Sequence, residues 1–290
     1  MKKLAPLFVI LGAISYAMVG IVLEMATYHG YPIQRIIVGM YLFYFIFLYS
    51  LYIFSNKNKG LLSKKETLIF LGLGGFTISI TYCFYSSLRC VGVPMATLLL
   101  MQSSWITPVF SAFIGKNKIV KKDILSMLLI ILGVFVSLVG QNTNISLLGV
   151  VWGVGAAMSY SLMILCSSYL ACEKNILEKS AIMSLGAFIF SLFLFKDQSI
   201  VSFFDERTYW SILYALFSTI LPLTLLSLGL KHISMNLAGA LITLEIPSAY
   251  FLSHIFLSQK ITVYQILGCI MITLTISVPK IYLLYLNKKA

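Results

Sequence analysis

Glu245 stands in the middle of an apolar run, Met235–Leu257. A carboxylate at bilayer depth costs about 2.5–3.5 kcal/mol on insertion scales, so such a group is held inside protein, paired or protonated. At helical spacing its face carries Ala238, Leu241, Ser248 and Ala249, mostly small side chains that suit a close helix contact or a cavity wall. Two readings follow: a carboxylate that contacts a solute or couples a proton, and a protonated carboxyl bonded to a neighbouring helix. Gln102 and Trp105, one turn apart, and Tyr16, Tyr82, Tyr85 and Tyr160 also lie within apolar runs. An aromatic body with a polar tip either lines a cavity that grips an amphipathic solute or simply packs. Glu24 and Arg35 flank the turn Tyr28–Pro32, as an ion pair fixing a hairpin or as a gate that meets a solute's charge. Pro108, Pro222 and Pro247 fall inside runs, where each removes a helical hydrogen bond and invites a kink, whether as a hinge or as static shape.

Other chemistries lack their residues. His29, His232 and His254 are scattered without metal-ligand spacing, and Cys83, Cys90, Cys166, Cys172 and Cys269 form no CxxC and read as small apolar fillers. Neither a P-loop nor a GxSxG elbow occurs, and the glycines of Leu71–Gly75 lie inside an apolar run, where they favour helix packing. No metal, cofactor or catalytic activity is expected. A membrane-embedded enzyme acting on lipid is the alternative, and it would need a cluster of His, Asp, Ser or Cys that does not occur. A non-transporting structural membrane protein would explain apolar helices alone.

The elements that must position these residues are membrane helices. Of 290 residues, 60% are hydrophobic and only 10% charged, and mean hydropathy is +0.97, so lipid must solvate the chain. Runs of about 20 apolar residues predict roughly ten helical spans, at 5–27, 32–54, 67–89, 93–114, 123–140, 146–169, 179–196, 209–230, 235–257 and 261–283. Lys2 and Lys3 before an apolar run resemble a leader, but the repeat described next makes that run the first span. The formal charge of +12 sits in short loops, which points to topology and not to nucleic acid. With the N-terminus inside, most of the 21 basic residues fall on the inner side, which predicts that both termini are cytoplasmic. Asn144-Ile145-Ser146 then forms an outer sequon of the kind that also arises by chance.

The chain repeats itself. Leu88-Arg89-Cys90-Val91-Gly92 recurs as Leu230-Lys231-His232-Ile233-Ser234, 142 positions later, and Ala13-Ile14-Ser15-Tyr16 recurs as Ala157-Met158-Ser159-Tyr160, 144 positions later. Five spans per half is odd, so the halves, 1–140 and 141–290, are expected to insert in opposite directions. Inverted halves around a midplane site are a common plan of secondary transporters.

Tyr85–Ala96 and Leu230–Ala238 resemble the turn between the third and fourth helices in each half of the EamA-type branch of the drug/metabolite transporter superfamily. Thr107-Pro108-Val109-Phe110, Leu244-Glu245-Ile246-Pro247 and Arg35 resemble further elements of that family. Asn117 and Gln259 depart from it, standing where relatives often carry glutamate. The resemblance implies an all-α polytopic fold of two five-helix inverted repeats. It also implies alternating access for a small organic solute of amino-acid, nucleobase or drug-like type, driven by its own gradient, a coupled proton or a counter-solute. The composition, rich in Ile and Phe and with Lys far outnumbering Arg, suggests a bacterial inner membrane.

Overall fold

The computed structural model describes residues 4–54, 62–114, 121–139, 146–169, 176–195, 208–230, 232–233 and 235–289. Lys2, Lys3, Asn117, Asn144, Cys172 and Lys231 lie outside them. The described residues are helical without strands: α1 (Ala5–Tyr28), α2 (Ile33–Phe54), α3 (Lys64–Val91), α4 (Val93–Leu100), α5 (Ser103–Phe113), α6 (Lys121–Val139), α7 (Leu147–Tyr169), α8 (Ile176–Leu194), α9 (Tyr209–Ala215), α10 (Leu221–Leu230), α11 (Met235–Ile242), α12 (Glu245–Leu257) and α13 (Val263–Lys289). Among them, eight spans are long and apolar enough to cross a bilayer, counting α4–α5, α9–α10 and α11–α12 as one each. The apolar segments Ile124–Val139 of α6 and Val263–Val278 of α13 are shorter. The chain is an integral membrane protein.

Local chemistry sets the ends. Pro6 opens α1, where a missing N–H costs nothing, and Gly30, at φ +74°, turns the chain into Pro32 and α2. The third span begins at Lys64, three residues ahead of expectation, because Ser63 and Glu66 form a capping box: Glu66 N donates to Ser63 Oγ (3.3 Å) and Ser63 N to the Glu66 carboxylate (2.7 Å). Gly92, at φ +79°, ends α3 and starts α4, a corner that a side chain would strain.

Two spans expected to run unbroken are interrupted. The fourth breaks at Met101–Gln102 and the ninth at Thr243–Leu244, at matching places in the repeat. Pro247 therefore lies in the first turn of α12, where its missing N–H has no intrahelical partner to lose. Of the three hinge candidates, Pro108 is the one that sits within a regular helix interior, in α5. Pro222 follows a π-helical turn, Leu216–Ile220, that joins α9 to α10. Its ring excludes the carbonyl four residues back, and the helix widens through a bond from Leu221 N to Leu216 O.

Packing is closest where glycines meet backbone. α3 packs on α7 and α8, α2 on α8, α1 on α10 and α12, and α6 on α13. A Cβ at Gly74 of α3 would run into the backbone of Ala187 on α8, and one at Gly186 into Leu71. Leu125, Leu128, Leu132 and Phe135 on α6 and Ile266, Ile270 and Leu274 on α13 stay exposed, as a lipid-facing stripe should. Gly186→Leu is expected to lower the melting temperature in detergent by several degrees, since overpacking costs about 1–3 kcal/mol. Gly72→Ala, where nothing lies within 4 Å, is expected to leave it unchanged or slightly raised.

Candidate substrate cavity

The repeated Ala-x-Ser-Tyr segments place their serines and tyrosines in parallel ways. On α1, Ser15 Oγ donates to Phe217 O of the π-helical turn (3.0 Å), giving a partner to a carbonyl in the widened turn. On α7, Ser159 Oγ bonds Ser79 Oγ of α3 (3.0 Å). Each serine thus ties its own helix to a distant one, α1 to the π-helical turn and α7 to α3. The tyrosines that follow, Tyr16 and Tyr160, line a cavity of about 210 Å³ together with Glu245.

Val19 and Gly20 of α1 and residues of six further segments complete the wall. α2 supplies Met40, Tyr41 and Tyr44; α3 supplies Thr77, Ile80, Thr81 and Phe84; α4 supplies Thr97 and Leu100. α7 adds Met163, α9 adds Tyr214, and the π-helical turn adds Ser218 and Thr219. Tyr41 donates to Thr77 O (2.8 Å) and touches Thr81 Oγ1 (2.7 Å), while the Tyr44 and Ser218 hydroxyls are bonded to each other. Glu245 opens α12, whose N-terminal dipole favours a carboxylate. Among the described residues no side chain or backbone group hydrogen-bonds or ion-pairs with it. Among the described residues that line the cavity there is no Lys, Arg or His.

The other residues singled out by sequence lie elsewhere. Gln102, only 4% exposed, donates from Nε2 to Leu98 O (3.1 Å) and accepts from Trp105 Nε1 (2.9 Å). Their polar tips thus bridge the break between α4 and α5 and do not line the cavity. Tyr82, 38% exposed, packs edge-on against Trp152 at the periphery. Tyr85 accepts from Arg89 Nη1 (3.3 Å). Glu24 accepts from Gln259 Nε2 with both oxygens (3.2 and 3.3 Å), and Gln259 also lies against Gly92. The loop before α13 therefore reaches α1 and the α3–α4 corner at one end of the bundle. Arg35 is tied through its carbonyl, which accepts from Ser211 Oγ of α9 (3.4 Å).

Sequence reasoning missed Tyr41, Tyr44, Tyr214, Ser218 and Thr219. A signal existed: Tyr41 and Tyr44 at i, i+3, and Thr77, Thr81 and Phe84 at i, i+4, i+7, each mark one helical face.

A lipid-embedded helical bundle around a mainly apolar cavity that carries tyrosine and threonine hydroxyls and one carboxyl is the build of a membrane transporter. The chain belongs to the EamA-like transporter family, which matches residues 3–139 and again residues 147–278. It is similar to the threonine/homoserine exporters RhtA of Salmonella typhimurium strains SL1344 and LT2, each 27% identical over 214 residues, 71% of this chain and 68% of the relative. A solved crystal structure shares the fold at a TM-score of 0.63 and 12% identity, covering 98% of this chain and 99% of that one.

Replacing Gln259 by Ala and Glu24 by Gln, singly and together, checks the cross-bundle contact. Hydrogen bonds to charged groups contribute about 1.5–3 kcal/mol, and the double-mutant cycle is expected to return a coupling of about 1.5 kcal/mol in apparent stability. Strict additivity would show that the contact carries no energy.

Proposed function

We propose that this chain is a secondary transporter that moves a small organic metabolite across a bacterial inner membrane by alternating access. The observation that carries the reading is the unpartnered carboxyl of Glu245 on the wall of an interior cavity that also takes Tyr16 and Tyr160. Ten spans are proposed, adding α6 and α13 to the eight long ones, with 1–140 and 141–290 as inverted halves and both termini cytoplasmic. Helix pairing supports that symmetry: α1 packs on α10 as α7 packs on α3, α2 meets α8, and α6 meets α13. The separate family matches to the two halves support it as well.

The cavity's size favours a metabolite. Drug-sized ligands occupy pockets of about 300–1,000 Å³, and 210 Å³ suits a solute of the size of a small amino acid. Relatives that export threonine and homoserine point the same way. Glu245 holds the solute or a coupled proton, and Glu24 with Gln259 closes one end. The broken spans α4–α5 and α11–α12, with α3 and α10, open and close the two sides. Whichever ion or solute drives the cycle must bind one access state better than the other.

Purified protein in detergent is expected to gain thermal stability from a small amino compound, by mass action. In liposomes it is expected to carry that compound, with Glu245→Gln cutting flux at least tenfold while melting normally. Undiminished flux in Glu245→Gln would remove the carboxyl from the mechanism. Turnover of a substrate in detergent would favour an enzyme.

A further inference from the structure

The hydroxyl protons of the cavity wall are largely committed to the wall itself. Ser218 donates to the carbonyl of Tyr214, so in the bond between Tyr44 and Ser218 the tyrosine is the donor. Tyr41 spends its proton on Thr77 O. Thr81 spends its own on Thr77 O (3.2 Å) or on Tyr41, and Thr97 donates to Val93 O (2.9 Å). These groups can meet a solute only with lone pairs.

The positive end of the α12 dipole falls on Glu245's own carboxyl, and the rest of the wall brings negative charge. Leu100, the last residue of the half-helix α4, brings the negative end of a helix dipole to the cavity, and Glu245 brings a carboxyl. Tyr16 and Tyr160 are the hydroxyls beside that carboxyl, so an anion that used them would sit next to a like charge. Thr219 is bonded to Tyr44, which leaves Tyr214 as the other lining hydroxyl for which no bond among the described residues commits the proton. Tyrosine rings attract an ammonium through their quadrupoles. No lining cation awaits a carboxylate, whose burial without a partner is unfavourable.

We infer that the cavity takes a small protonated amine without an ionised carboxyl, such as an amino alcohol, and discriminates against the free zwitterionic amino acid. This deepens the transporter reading and rests on it, and it sets the chain apart from relatives that export threonine and homoserine.

Matched pairs that differ only by the carboxyl test it: 1-aminopropan-2-ol against threonine, and 3-aminopropan-1-ol against homoserine. Melting shifts of the full chain in detergent at neutral pH, titrated over concentration, give an affinity for each. The amine of each pair is expected to bind at least tenfold more tightly than its amino acid. That preference is expected to be lost in Glu245→Gln and kept in Tyr16→Phe. Equal or tighter binding of the amino acids overturns the inference while leaving a transporter with this cavity in place. Should neither member of a pair bind, the amine inference fails, and liposome flux of a solute without an amine would show that the transporter reading survives it.

Discussion

Lipid offers the backbone no hydrogen-bond partner, and the rest of this structure follows from how the chain meets that constraint. Regular helices satisfy most groups. Where a helix is interrupted, nearby side chains take over. At the break between α4 and α5, Gln102 bonds Leu98 O and Trp105. At the break between α11 and α12, Thr243 bonds Ala240 O (2.7 Å) and Ser277 of α13 (2.6 Å). Gln102 and Thr243 are both buried, so the breaks are tolerated inside protein. They also supply the features a solute site needs: α12 begins on Glu245, and α4 ends on Leu100, both at the cavity.

Close packing and open space are divided among the elements by side-chain size. Glycines at the α3–α8 crossing bring backbones into contact and leave no room for a solute. Tyrosines and threonines at the meeting of α1, α2, α3 and α7 hold the helices apart and surround the cavity. The π-helical turn forced by Pro222 brings Ser218 and Thr219 into that wall, and Ser15 holds the widened turn. The paired Ser-Tyr segments thus do two things: the serine ties its helix to a distant one, and the tyrosine lines the cavity.

Hydropathy made the membrane helices legible, and the repeat made Tyr16 and Tyr160 stand out from the 17 tyrosines. Glu245 was legible because a carboxyl in an apolar run is rare. Other features depend on tertiary contacts that periodicity does not record. The helix breaks fall at Met101–Gln102 and Thr243–Leu244, none of them Gly or Pro, and side-chain bonds stabilise them. Glu24 takes a bond from Gln259, 235 positions away, a contact that no local spacing records. Tyr41 and Tyr44 share their i, i+3 spacing with Tyr49 and Tyr52 on the same helix, so spacing alone did not say which pair faces the cavity.

Alternating access requires this cavity to face each side of the membrane in turn. Tyr16→Cys, made in a background with the five native cysteines replaced, places a thiol on the cavity wall. Sealed vesicles treated with a membrane-impermeant thiol reagent from one face and then the other give the measurement. Labelling from both faces, slowed by bound solute, is the predicted result. Labelling from one face alone, with or without solute, would contradict alternating access through this site.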